Sequence, residues 1–256
     1  LAAAIIILTG VIAFSGFRII TSLNSYNKAK DFYEDLRMVI REKGNDHSES
    51  ESARDPEDPE HDPYDFSLLL SINQDAVGYI KARGEGDVID YPLVQGSDNS
   101  FYLDHLFNGE PNSSGAIFAD AGETDFPDGR FAIIYGHNMY AGAKMFSCLE
   151  NYSDYEYAME HAEMDVYTQD KHYVYKVFTA FTADTTGFAY QYGFADDNDF
   201  MNFISKALDM RPFDMGVNLN DFTPQSKIMT LSTCLTDYRS DKRFVIMLLR
   251  TEEIKD

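Results

Sequence analysis

Three side chains in this sequence have the chemistry to break and remake an amide bond: a thiol, an imidazole and a guanidinium. The thiol is Cys234, which ends the run KIMTLSTC (227–234). Side chains alternate faces along a strand. Ile228, Thr230, Ser232 and Cys234 therefore share one side, and Met229, Leu231 and Thr233 the other. The cysteine closes a face that grows more polar, which is not where an inert packing cysteine belongs. At a reference pKa of about 8.5 only a few per cent of a thiol is thiolate at neutral pH, so a nucleophilic cysteine needs a proton-handling partner. His137 is the candidate, because it follows the buried-strand pattern FAIIY (131–135) in the polar turn GHN. Of the other histidines, His47 and His61 lie in an acidic segment, and His105, His161 and His172 lie in polar stretches expected to be exposed. Arg243 stands nine positions after Cys234 and precedes the apolar run FVIMLL (244–249). If the two runs pair as antiparallel strands, their facing ends meet. Arg243 then sits beside Cys234, where a guanidinium can bind a developing oxyanion.

The elements that must position these groups are mostly strands. AVGYIKA (76–82), VIDYPLV (88–94), GAIFAD (115–120), FAIIYGH (131–137), HYVYKVFTAFTA (172–183), KIMTLSTC and FVIMLL are short apolar runs separated by Gly, Asp and Asn turns. Such a succession predicts a barrel or sandwich. Helical spacing appears at 141–152 through Met145, Leu149 and Tyr152. It is stronger at 197–210, where Phe200, Phe203, Ile204 and Leu208 share a face and Asp197 stands near the cap. Residues 22–44 read as a packing helix with Tyr26, Ala29, Phe32, Leu36 and Val39 on one stripe, Asn24 or Ser25 as the cap and Gly44 as the stop. Residues 45–65 are acidic and contain three prolines, the composition of a solvated linker.

Upstream, LAAAIIILTGVIAFSGF (1–17) carries no charge before Arg18. A bilayer core needs roughly 20 apolar residues. With IITSL following, and an arginine able to snorkel, residues 1–21 are expected to be a truncated membrane anchor. A cleaved signal peptide is the rival reading. The net charge of −22 argues against a nucleic-acid partner, which needs a basic footprint. The two cysteines, Cys148 and Cys234, make no disulfide framework, although an oxidising location would permit them to pair. Cys148, with apolar neighbours, reads as a small core residue. No metal-ligand spacing is evident and no cofactor is implied.

TLSTC (230–234), with Arg243 opening the next strand, resembles the signature of sortases. IYGHNM (134–139), running into MFSCLENY (145–152), is similar to class B sortases in particular. INQDAVGYI (72–80), IDYPLVQGSDNSFYL (89–103) and GAIFAD follow that pattern in order. The resemblance covers roughly 66–250 and departs from it at Tyr79, where class B members usually carry Trp. It implies a mainly β fold, an eight-stranded barrel spanning 66–256, with N-terminal helices and a helix inserted before the cysteine-bearing strand. It also implies a membrane-anchored cysteine transpeptidase on the outer face of a Gram-positive bacterium. Such an enzyme cleaves a Pro- and Thr-containing sorting signal of a secreted protein and joins the Thr carbonyl to a peptidoglycan amine through a thioacyl enzyme. His137, Cys234 and Arg243 then carry catalysis, and Ser232, Asn99 and Leu103 match positions that line the substrate groove. Read without the resemblance, Leu103 is equally a core residue and Asn99 a turn residue, and Asp237 is either an orienting partner of His137 or an exposed turn aspartate. Two other functions compete: a cysteine hydrolase of papain-like type, and an anchored surface module without catalysis. The first usually sets its cysteine at a helix N-terminus and orients its histidine with Asn or Asp; here the cysteine follows a strand.

Overall fold

The computed structural model describes residues 2–46, 64–86, 89–139, 141–191, 193–237 and 241–255. Eight strands close into one barrel: β1 (Ala76–Ala82), β2 (Asp90–Val94), β3 (Ile117–Ala119), β4 (Phe131–Tyr135), β5 (Glu163–Tyr167), β6 (Lys171–Ala183), β7 (Ile228–Cys234) and β8 (Arg243–Lys255). Their order around the barrel is β1-β2-β3-β4-β7-β8-β6-β5, and β5 pairs back onto β1. Two pairings are parallel, β2 with β3 and β4 with β7; the others are antiparallel. A parallel pair needs a long crossover. The connection from β4 to β7 accordingly carries the short helix α3 (Tyr155–Glu160), β5, β6 and the helix α4 (Asp197–Asp209).

The strand alternation sorts the core into two compartments. Met229 and Leu231 of β7, with Ile246 and Leu248 of β8, fill the barrel interior. Ile228, Val245, Met247 and Leu249 point outward into a second cluster under α4. FVIMLL reads as a continuous apolar run because both of its faces are covered. Helix α4 closes the outer compartment with Phe200, Phe203, Ile204, Ala207 and Leu208, spaced three and four residues apart. Its cap is Asp196, whose carboxylate accepts from the Asp199 amide at 2.9 Å, one residue before the expected Asp197.

At the N-terminus a single helix, α1, runs from Ala2 to Asp46, so no cap forms at Asn24 or Ser25 and Gly44 does not end it. Its buried face is Ala29, Tyr33, Leu36 and Ile40, while Val39 is 42% exposed; the packing stripe lies about one residue round from the expected one. Among the described residues no helix is long and apolar enough to cross a membrane. Most of the acidic segment, with His47 and His61, lies outside the described residues. Its last two residues belong to the packed domain and not to a linker. Tyr64 is buried and stacks on Tyr79, ring centroids 3.9 Å apart, and Asp65 caps α2 (Phe66–Ile72) by accepting from the Leu68 amide at 2.9 Å.

The helix expected over 141–152 does not form. Gly142 (φ +75°) and Met145 (φ +52°) take left-handed conformations that end any right-handed helix. Only a short 3₁₀ turn, Leu149–Ser153, follows. Gly142 is required on steric grounds as well, since a Cβ there would lie 2.2 Å from the Tyr26 carbonyl oxygen of α1. None of His105, His161 and His172 is exposed. His161 is fully packed and its Nδ1 lies 2.9 Å from the Arg83 carbonyl oxygen, while His172 pairs with Asp165. Backbone carbonyls, of Phe101 for His105 and of Arg83 for His161, and the buried Asp165 carboxylate for His172 gave these rings partners inside the fold.

Candidate active site

The site follows from the register of β4 against β7. Tyr135 pairs with Ser232 in a parallel ladder, and the last ladder bond runs from the Gly136 amide to the Ser232 carbonyl at 3.2 Å. His137 and Cys234 each lie two residues beyond that pair, so parallel strands bring both to the same end of the barrel. On the other flank, β7 and β8 pair antiparallel, with Cys234 directly opposite Arg243. Cys234 is exposed, and Thr233 beside it is buried and donates to the Gly136 carbonyl at 2.7 Å. His137, Cys234 and Arg243 line one cleft of about 270 Å³.

His137 is held by the main chain. Its Nε2 lies 2.6 Å from the Leu103 carbonyl oxygen. A carbonyl only accepts, so Nε2 carries the proton in this contact and Nδ1 is left for other work. The Leu103 carbonyl is delivered by the 3₁₀ turn Phe101–Leu103, against which Gly115 packs. Gly115 has φ +63°, and a Cβ on it would stand 2.6 Å from the Tyr102 carbonyl oxygen and 3.1 Å from His137 Cδ2. Only glycine lets this backbone approach the imidazole so closely. Arg243 is fixed through its own turn, with Nη1 donating to the Asp241 and Lys242 carbonyls at 3.1 and 3.2 Å. Both bonds use one nitrogen, and the guanidinium fork has further N–H groups to offer.

The three expected groove residues also line the cleft. Ser232 is buried, and its hydroxyl bonds the Tyr190 phenol at 2.7 Å. Leu103 is 43% exposed, which excludes a core position for it. Asn99 is both a turn residue and a wall of the cleft: its Nδ2 donates to Asp120 at 2.8 Å and its Oδ1 accepts from the Ala121 amide at 2.7 Å. Cys148 is buried, and no disulfide joins it to Cys234.

Sequence reasoning missed Tyr190, Tyr135, Thr185 and Asp120. The first three line the cleft. Burial pushes the Tyr190 phenol up; the Ser232 bond and the positive charge of Arg243 oppose that, and Cys234 adds to it. Asp120 ends GAIFAD, and its buried carboxylate takes the Asn99 amide, the Tyr135 hydroxyl at 2.9 Å and the Gly122 amide at 2.7 Å. It thereby ties the turn bearing Asn99 to β4. A lone aspartate closing an apolar strand was the available signal. Tyr190 gave none, because its segment reads as an ordinary aromatic loop.

Comparisons with known proteins bear on the chain as a whole. The sortase domain family model matches residues 86–250. Sortase B of Listeria monocytogenes is 27% identical over 242 residues, covering 94% of this chain and 92% of that protein. A Staphylococcus aureus sortase B–substrate complex superposes with a TM-score of 0.72 at 28% identity, covering 89% of this chain and 97% of that one. A sortase B complexed with triglycine gives a TM-score of 0.71 at 27% identity over 89% and 98% of the two chains. A closed eight-stranded barrel, a cysteine at the end of β7 and relatives of sortase B type along nearly the whole chain lead to one conclusion: the chain belongs to the sortase family, as a cell-wall sorting cysteine transpeptidase of sortase B type.

Proposed function

We propose that Cys234 is the nucleophile, His137 the proton carrier and Arg243 the oxyanion donor. The substrate on this reading is a secreted protein bearing a Pro- and Thr-containing sorting signal. The observation that carries the proposal is the meeting of these three side chains in one cleft, at the ends of β4 and β7 and the start of β8. With the Cys234 thiol proton passed to Nδ1 of His137, the sulfur attacks the Thr carbonyl carbon, and the carbonyl π electrons move onto oxygen, where Arg243 N–H groups receive the charge. The C–N bond then breaks and His137 gives a proton to the departing amine, leaving a thioester on Cys234. An incoming amine attacks that thioester and passes a proton to His137. Collapse of the second tetrahedral intermediate expels the Cys234 thiolate and leaves a new amide. Since Nε2 is committed to Leu103, Nδ1 is the nitrogen that exchanges protons.

Asn99, Leu103 and Ser232 contact the sorting signal in this scheme. The amine comes from peptidoglycan, a reading supported by the sortase B structure complexed with triglycine. We assign residues 1–21, uncharged up to Arg18, as a membrane anchor, with the acidic segment as spacer and the barrel on the extracellular side, although the described part of α1 is not by itself long and apolar enough to cross a membrane. Val11, Phe14, Phe17, Ile19, Ile20 and Leu23 of α1 are exposed apolar side chains, which suits a lipid environment better than water. The net charge of −22 argues against a nucleic-acid partner. The test offers a library of Pro/Thr-containing peptides with a glycine or diaminopimelate amine and looks for an acyl adduct by mass spectrometry. A thioester on Cys234 and an amine-dependent transfer product are expected; hydrolysis alone, whatever the amine, would favour a peptidase instead.

A further inference from the structure

We infer that Glu150 and Asn138 form a clamp that positions His137 against Cys234, a role that rests on the assignment of those two residues as the catalytic pair. The backbone ladder between β4 and β7 ends at Gly136 and Ser232, before either catalytic residue is reached. Beyond it the two chain segments are joined by side chains. Asn138, next to His137, donates from Nδ2 to Glu150 Oε1 at 2.8 Å and to the Cys234 carbonyl at 3.0 Å. Thr236, two residues past Cys234, donates to the same Glu150 Oε1 from its amide at 2.6 Å and from its hydroxyl at 2.7 Å. The Asn138 amide thus takes the place of the missing ladder bond. Glu150 holds the exits of both strands through one oxygen. A second backbone bond, from the Phe146 amide to the His137 carbonyl at 2.9 Å, returns the loop towards the 3₁₀ turn that begins at Leu149 and presents Glu150.

The geometry separates position from charge. Every donor to Glu150 named here lands on Oε1, so a glutamine carbonyl can accept all of them while carrying no charge. Glu150 and Asn138 are positioning residues and touch no reacting atom in this scheme. Loosening the clamp should lower kcat and leave KM nearly alone, because the groove walls at Asn99, Leu103 and Ser232 lie outside it. A displacement of about 1 Å at a reacting group can cost on the order of 100-fold in rate.

The experiment measures peptide transfer, and alkylation of Cys234 by iodoacetamide as a function of pH, on the folded full chain, with thermal unfolding as a control. Glu150→Ala and Asn138→Ala are each expected to lower kcat by roughly 10- to 100-fold with KM within about twofold. Both should also alter the pH profile of alkylation. Glu150→Gln is expected to recover most of the lost rate. The Asn138→Ala/Glu150→Ala double variant should be little worse than the worse single one, because both remove the same unit. If Glu150→Ala does not fold, Thr236→Val removes one donor at an exposed position and should lower kcat about threefold. The proposal is overturned if the alanine variants keep the parental kcat and alkylation profile, if Glu150→Gln is as damaging as Glu150→Ala, if the double variant is additive, or if Thr236→Val keeps the parental kcat. Activity surviving in Cys234→Ala would overturn the catalytic assignment itself; a dead Cys234→Ala beside an unaffected Glu150→Ala would remove only the clamp.

Discussion

His137 and His172 sit in different parts of the same barrel and are held by opposite means. His172, on β6, places Nε2 2.7 Å from Asp165 and stacks on Tyr167, ring centroids 4.2 Å apart. Asp165 is buried and also takes Nε and Nη2 of Arg83 at 2.9 and 2.7 Å. That histidine is one member of a closed charge cluster joining β5 and β6 to the end of β1. His137 rests on a neutral carbonyl at the rim of a cleft, with no carboxylate among its named contacts. Either partner takes up one ring nitrogen; His172 is also stacked on Tyr167 away from the cleft, whereas His137 lines the cleft that holds Cys234. Access to the cleft and to a nucleophile, and not the presence of a hydrogen-bond partner, separates the histidine available for chemistry from the structural one.

Removing each histidine is the sharpest way to break this contrast. Cys234→Ala and His137→Ala should lower peptide transfer by about 10³-fold or more, with a melting temperature close to the parent's. Transfer assays paired with calorimetry check both halves. Next in size, Arg243→Lys keeps a charge but loses the fork, and kcat should fall by roughly 10²-fold, read in steady-state transfer kinetics. His172→Ala should do the reverse, destabilising the fold by about 1–3 kcal/mol in urea titrations while transfer per folded molecule stays unchanged.

The Asp165 cluster also predicts a pH dependence. Burial works to raise the Asp165 carboxyl, but the His172 and Arg83 hydrogen bonds outweigh it and hold it below the usual carboxylate range. A depressed folded-state pKa contributes stability that is present above the unfolded value, about 3.9, and is lost as pH falls through the folded value. The stability advantage of the parent over Asp165→Asn should therefore be constant near neutrality and shrink below about pH 4, in melting curves taken from pH 7 to 2. The smallest effect is expected at Thr230, on the same strand face as Ser232 but fully buried with no hydrogen-bond partner for its hydroxyl. Thr230→Val should change stability by less than about 1 kcal/mol, or raise it. A large loss would mean that the polar character of the cleft extends beneath α4.

Parts of this architecture were legible because local pattern and burial coincide. The stripe of α4 and the alternation of KIMTLSTC state which faces are covered before any fold is known. Strand β5 escaped notice because Glu163 and Asp165 make EMDVY look exposed, yet Asp165 is buried by pairing with Arg83 and His172. The helix expected at 141–152 failed for a reason outside its own residues, since Gly142 must take a left-handed turn under α1.

What the sequence determined alone was the chemistry on offer: a thiol at the polar end of a strand, an arginine opening the next and a histidine closing a buried one. Those follow from side-chain alternation, which is a local property. Only the tertiary structure decided which carbonyl orients His137, that Tyr190 joins the cleft, and that Glu150 ties the two strand ends together. These depend on the parallel β4–β7 register and on contacts between residues distant along the chain, for which no local pattern exists.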